Sequence, residues 1–550
     1  MTKKHKNQAQ PAKEPAVAAS GTEQGKPSLF KRLPWPYLLT FAGFYVFSTC
    51  VYGDIFRRTA EANFITDNST QMEFLTSQAW GTIYCWGRWI LCSMSNLYVG
   101  AALLSLILTL TAVLADKALC IPRAWRGVSA LVPAAIVLWF IHRGLNIYYK
   151  EEPSLVFIVP IAALLVTAAL ALVGRFSWCR KRQLTEASPC KAKRAWGWTV
   201  PIVLIAALSV TALKWNKAEI LTARMQMRMM DGDFAAMVDD ALSCKRPTRS
   251  VAAYYTIGLV QTGQLLERQF DIPYDFPEMR LKRHDGNEEY TIFTGDCSFY
   301  AGLINTAYRC AMDYTVFYGP TIYYLKRMAV CAILTDETAL AKKYMAILKK
   351  VPFQNRFIEK YEPMIGNHER IEADEELMKV LALQPQEHNF EQNYRTPTFL
   401  GYNAGLLRGT DASLETAIAA RLYSKELNAA MPLIRVYAQK HGGQLTPSLQ
   451  QAITIMSTKD PSIDEEFGTI VNMQAPTFTA FITEAKPILD ERKRVSEGKS
   501  EAEKLKIRDE YNHKLRAALS ADWVGTYLYY YYCENNDQAQ VKQNTQTAVN

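Results

Sequence analysis

Apolar and polar residues are arranged in two different ways along this chain. Over the first 213 residues the apolar positions fall in long runs, at 36–53, 97–115, 128–147, 154–173 and 196–213. The runs at 97–115 and 154–173 hold 19 and 20 consecutive uncharged residues. At about 1.5 Å rise per residue, each is long enough as a helix to cross roughly 30 Å of hydrocarbon. The run at 128–147 is weaker, because its uninterrupted apolar part stops at Ile141 and His142 and Arg143 follow. Between the first two runs, 54–76 reads as a polar amphipathic segment. Residues 77–96 carry Trp80, Tyr84, Trp86 and Trp89 around Arg88. Amphipathic rings favour the headgroup level, so 77–96 is expected to be an interfacial helix or the slanted start of the second span.

From about residue 214 onward the apolar period is near 3.6. Phe234, Met237, Val238, Ala241 and Leu242 repeat at helical spacing, with Asp233 placed to cap the start and Pro247 to stop the chain beyond. Ile322, Leu325, Ala329 and Ala332 form one stripe, and Leu340, Tyr344, Ile347 and Leu348 form the next. The few residues between them predict a tight helix–helix hairpin. A second hairpin is expected over 409–443, closed by Gly442 and Gly443, with Thr446 capping and Pro447 opening the helix after it. Residues 271–296 read as a long loop. The expected fold class is all-α: a membrane bundle over 35–215, then a soluble α-hairpin superhelix over 216–550. The tail 1–34, rich in Lys, Gln, Ala and Pro, has too few large apolar groups to build a core.

Charge adds an orientation. The chain carries a net +9, and the excess follows the connections between apolar runs. Residues 1–34 hold 7 Lys/Arg against 2 acids, 116–127 hold 3 against 1, and 174–198 hold 7 against 1. The intervening connections, 54–96 and 142–153, are close to balance. Alternating basic connections fit five spans with a cytoplasmic N-terminus, and 216–550 then lies outside the cytoplasm. The same pattern argues against a nucleic-acid partner, which calls for basic residues on one folded face.

The stretches WILCSMSNLYVGAALLSLILTL (89–110), GDFAAMVDDALSCKRPTRSVAAYYTIGLVQTGQLLER (232–268) and GTDASLETAIAARLYSKEL with LTPSLQQAI resemble a family of uncharacterised bacterial envelope proteins. Those proteins place a small multi-span unit before an extracytoplasmic, tetratricopeptide-like region. Within the likeness, Gly258 occupies a close-packing position of a repeat's first helix, whereas Pro432 departs from a standard second helix. The resemblance implies no activity and transfers no functional residue.

Chemistry-bearing constellations are sparse. His5, His142, His284, His368, His388, His441 and His513 are scattered, and no metal-protease, phosphate-loop or nucleophile-elbow motif occurs. Cys179 and Cys190 lie in the basic 174–198 connection without further ligands for zinc. No catalytic, metal or cofactor-binding residue is therefore assigned, and no cofactor is expected. Asp54, Glu61 and Asp67 follow the first run, where a lipid-linked transferase could keep an acidic residue; Asp54 beside Arg57 and Arg58 reads instead as a locally compensated cluster. His142 and Arg143 read as snorkelling at a helix end. Five cysteines, Cys244, Cys297, Cys310, Cys331 and Cys533, fall in the helical region, and a disulfide is most plausible among Cys297, Cys310 and Cys331. The run Tyr527–Cys533 is expected to be a terminal helix whose rings pack on the preceding hairpin with hydroxyls in water. Two partners are expected, the lipid bilayer and other envelope proteins, with the helical region serving as an interaction scaffold of a bacterial inner membrane. A membrane-embedded transferase and a transporter accessory subunit are the alternatives.

Overall fold

The computed structural model describes residues 34–144, 152–174, 191–276, 288–384 and 410–534. Among these residues every regular element is helical and no strand occurs, so the protein is all-α. Four helices are long and apolar enough to cross a membrane: Leu97–Leu119, Trp125–His142, Leu155–Val173 and Gly197–Trp215. The third expected run is shifted: it begins earlier than 128 and ends at His142. The basic connection with Cys179 and Cys190 falls in 175–190, outside the described residues.

The first apolar run is not one straight helix. Trp35–Val51 turns by 69° into Gly53–Glu61. The corner is Tyr52, fully buried, whose hydroxyl accepts from Asn216 Nδ2 at 2.8 Å. Gly53 makes the corner possible, since a Cβ there would meet Leu97 Cδ2 at 2.9 Å and the Ser48 carbonyl at 3.1 Å. Asn216 itself stands between Lys191–Trp215 and Lys217–Asp231, and its amide also reaches the Ile141 carbonyl at 3.0 Å. One buried amide thus joins three of the apolar elements just before the helical region begins.

The helical region follows the predicted stripes closely. Asp233 caps Phe234–Leu242 by accepting from the Ala236 N–H, and the helix ends before Pro247 is reached. Ile322–Leu334 and Thr338–Leu348 form the first predicted hairpin, and Asp411–Tyr423 with Leu427–Lys440 form the second. Gly442 and Gly443 both adopt positive φ, 59° and 81°, as the closing turn needs. Gly258 does sit against a neighbour, 2.8 Å from Val238 Cγ2 to where its Cβ would stand. Two expectations change. Thr446 occupies the cap position of Pro447–Ser457 but makes no side-chain capping bond. The expected loop 271–296 is already helix from Glu288, in Glu288–Tyr300.

Segment 53–67 is not a free loop. Gly53–Glu61 packs along Lys217–Asp231, and the Asn63 carbonyl accepts from the Ile322 N–H at 2.9 Å. The helical region is therefore clasped by chain that precedes it by well over a hundred residues.

Gly302 and Gly232 separate backbone strain from steric clash. Both have positive φ, 78° and 76°, but a Cβ at Gly302 would stand 2.4 Å from the Gln384 nitrogen, and nothing lies within 4 Å at Gly232. Gly232→Ala should cost about 1–2 kcal/mol, from the left-handed conformation alone. Gly302→Ala should cost clearly more in urea unfolding of the detergent-solubilised chain. Equal losses would mean that the helix end at Leu383 moves aside freely.

Candidate functional site

Where the helical region meets Gly53–Glu61, a cleft opens between Lys217–Asp231, Glu288–Tyr300 and Ile322–Leu334. Met229, Tyr300, Tyr323, Lys326, Arg327 and Tyr361 line it, with Phe357 and Glu376 at its edge. A smaller recess beside it is lined by Arg58, Glu61, Gln226, Thr321, Tyr323 and Tyr324.

The floor is an ion pair buried among rings. Asp296 Oδ1 accepts from Arg327 Nη2 at 2.8 Å, and only 2% of the Asp296 side chain is exposed. Tyr254 donates to Asp296 Oδ2 at 3.0 Å, and Tyr323 donates to Oδ1. Arg327 lies 4.1 Å from the Phe299 ring centroid, a cation over an aromatic face. Burial disfavours the Arg327 cation, and Asp296 beside it outweighs that and holds the charge. Burial, then the Asp296 carboxylate, pushes the Tyr254 and Tyr323 phenols well above their usual range, so both stay donors at neutral pH.

The rim repeats this pairing. Lys326 Nζ meets Glu61 Oε1 at 2.7 Å, and Tyr300 donates to Glu376 at 2.8 Å while Lys360 reaches Glu376 at 3.2 Å. Arg58 Nε donates to Gln226 at 2.6 Å. Glu61 Oε2 is left without a hydrogen-bond partner among the described residues. The site is thus a set of tyrosine donors and compensated charges at the mouth of an apolar cleft.

The chain belongs to DUF6057, a family of unknown function. The match runs over residues 145–534, so it takes in the last two apolar helices and the described helical region. It leaves out the clasp at 53–67. No curated protein and no solved structure matches the chain.

The residues singled out in the sequence are placed differently from one another. Asp54 pairs with Arg224 at 3.2 Å, not with its helix neighbours; Arg57 turns to Asp231 at 2.9 Å. The expected local compensation is therefore a set of bridges to Lys217–Asp231. Glu61 lies in the recess, whereas Asp67 is 70% exposed and only 3.9 Å from Lys350. The His142 ring stands 5.9 Å from that of Trp215. Cys297, Cys310 and Cys331 are free thiols, as are Cys244 and Cys533, so the expected disulfide does not form. Burial holds Cys297 and Cys331 well above the ordinary thiol range, which makes them packing groups. Among the described residues no group of three or more His, Cys, Asp or Glu is placed to hold a metal.

The Tyr527–Cys533 helix corrects its own expectation. Its rings do pack inward, and the Tyr531 hydroxyl stays in an exposed bond with Lys459, but those of Tyr527 and Tyr530 are not in water. Tyr527 donates to the Leu422 carbonyl at 3.3 Å, and Tyr530 donates to the Tyr423 carbonyl. Phe270 lies between them, 4.8 Å from the Tyr527 centroid and 4.7 Å from that of Tyr530. Beneath this cluster Lys425 Nζ donates to the Tyr531 carbonyl at 2.8 Å, and the Tyr274 N–H donates to Glu534 Oε2 at 2.9 Å. Burial pushes Glu534 up to about 7 and Lys425 down to about 7.

Sequence reasoning missed Asp296, Arg327, Tyr323 and Lys326. Arg327 sits on the polar flank of the Ile322–Ala332 stripe, and Tyr323 stands directly after its first residue. A pair 31 residues apart has no local signal, because a helical period reports which side faces inward and not what it meets.

Two outcomes follow from the geometry. Asp296→Ala leaves Arg327 buried and unpaired, so it should lower stability by about 3–5 kcal/mol. Lys350→Ala removes only a long exposed pair and should cost no more than about 1 kcal/mol. Chemical denaturation of both variants checks this. For Glu534, an acid raised in the folded state, the stabilising contribution is full below its ordinary value of 4.5 and is lost as pH rises to about 7. Glu534→Gln keeps an acceptor for Tyr274. Its melting temperature should fall less than that of the parent between pH 5 and pH 7.5, and parallel curves would refute the assignment.

Proposed function

We propose that this chain is a multi-pass protein of a bacterial inner membrane whose helical region, 216–550, is an extracytoplasmic interaction scaffold built of tetratricopeptide-like hairpins. The observation that carries the reading is the cleft. Its tyrosines are held as donors, its charges are compensated before anything binds, and Met229, Met230 and Phe357 give it an apolar wall. Tyrosine and arginine at an apolar cleft are the side chains that protein partners use as anchors. Burial pushes the Tyr300 and Tyr323 phenols of the cleft well above their usual range, away from a general base, and Asp54 is spent on Arg224. That favours recognition over the transferase alternative.

Orientation rests on the alternating basic connections. The exposed face of Gly81–Leu91, bearing Ile83 and Trp86 with Trp80 just before it, supports an interfacial position for 77–96. One set of observations favours the opposite orientation: the five thiols of the helical region are free, whereas Cys120, in a basic connection, is disulfide-bonded. Disulfides belong on the oxidising side.

Reporter fusions separate the two. A fusion after Arg194 should read as cytoplasmic and one after Lys217 as outside; the reverse pattern would invert the topology, and the same side for both would remove the last span. For the scaffold, Phe357→Asp combined with Tyr361→Ala should abolish recovery of a cross-linked protein partner from mild detergent while expression holds. Asp54→Asn should leave that recovery nearly unchanged. If Asp54→Asn alone reproduced the loss in a folded, abundant protein, the transferase reading would replace this one.

A further inference from the structure

The turn after Thr338–Leu348 presents an exposed aromatic residue within a basic stretch, KKVPFQNR, residues 349–356. Phe353 is 52% exposed and holds a positive φ of 64°, a conformation that a bulky residue adopts rarely. Lys350 is 56% and Arg356 86% exposed, and their contacts, to Asp67 at 3.9 Å and Asp231 at 3.4 Å, are long surface pairs. Both cations can therefore meet another anion at little cost.

The position of this turn is decided by its next residue. Gln354 Nε2 lies 3.5 Å from Ser95 Oγ. Ser95 ends the short turn Cys92–Ser95, two residues before the apolar helix Leu97–Leu119 begins. Gln354 thus ties this turn, with Phe353 beside it in sequence, to the chain just ahead of that helix. Tyr98, one residue into the helix, is also exposed, as are Trp86 on the neighbouring Gly81–Leu91 and Trp80 just before it.

We propose that the 349–356 turn is a second membrane contact, made by the helical region itself: the Phe353 ring enters the headgroup–acyl boundary, and Lys350 and Arg356 meet the phosphates of an anionic lipid surface. The aromatic and the cations suit that boundary together, one apolar and the other drawn to negative headgroups. The contact is continuous with the helix end beside it, and it rests on the reading that Leu97–Leu119 and Leu155–Gly174 cross a bilayer. The helical region is then seated flat on the membrane rather than tethered above it.

Photo-cross-linking in the full chain tests this. p-Benzoylphenylalanine is placed at Phe353, at Leu165 on the exposed face of Leu155–Gly174, and at Met473 on the exposed face of Ser462–Ser496. The chain is reconstituted in nanodiscs of phosphatidylethanolamine and phosphatidylglycerol. Lipid adducts should form at Leu165 and Phe353 and be several-fold weaker at Met473. Lys350→Glu combined with Arg356→Glu, both on the surface, should cut the Phe353 adduct several-fold. Adduct at Leu165 but only Met473-like yield at Phe353 overturns the proposal alone. No adduct at Leu165 overturns the spanning reading and the proposal with it. A Phe353 adduct to polypeptide instead of lipid, or a yield indifferent to the two charge reversals, also overturns it.

Discussion

The side-chain amide of Asn216 fixes the relation between the apolar helices and everything that follows. Its nitrogen has two protons and gives them to two acceptors, the Tyr52 hydroxyl and the Ile141 carbonyl. All three groups are buried, so a missing partner would leave a polar atom unpaired away from water, at about 1–3 kcal/mol each. The bond forms only if the corner at Tyr52, the end of Trp125–His142 and the start of Lys217–Asp231 coincide. From that point Gly53–Glu61 can run only along Lys217–Asp231, which brings Asp54 to Arg224 and Glu61 to Lys326.

This constraint also explains the cleft. Its recess is made of residues from both sides of the junction, Arg58 and Glu61 from one, Gln226, Thr321 and Tyr324 from the other. Asp296 lies just behind, buried and paired with Arg327 of the cleft wall, and two tyrosines complete the carboxylate's hydrogen bonds. A buried pair of this kind adds little net stability but penalises any arrangement that separates it. The walls of the cleft are therefore held in one geometry.

Much of the fold was legible in the residues because it is local. The Asp233 cap, the two hairpins and the Gly442–Gly443 turn depend on neighbours within a few positions. The apolar runs declared themselves by length alone, though the corner at Tyr52 did not, because no proline marks it and its cause lies at Asn216, 164 residues away. The site was scarcely legible. Glu61 was noticed as a loop carboxylate, but its partner Lys326 is 265 residues distant. Helix spacing made Arg57 and Arg58 the obvious companions of Asp54, and tertiary packing overrode that. The Tyr527–Cys533 helix was read correctly in type and only partly in environment, since the carbonyls of Leu422 and Tyr423 take up the hydroxyls of Tyr527 and Tyr530 while that of Tyr531 stays at the surface.

That aromatic cluster joins Phe270 and Tyr274, Tyr423, and Tyr527 and Tyr530, three stretches that a ribosome delivers at widely separated times. The hairpins between them can form as they emerge, because their contacts are local. The cluster cannot. Until Tyr527–Cys533 arrives, Phe270 and Tyr423 have an unfilled apolar socket between them, open to solvent and to chaperones. Synthesis of this protein therefore carries its own completeness check: a chain cut short before Tyr527 keeps most of its helices but stays recognisably unfinished.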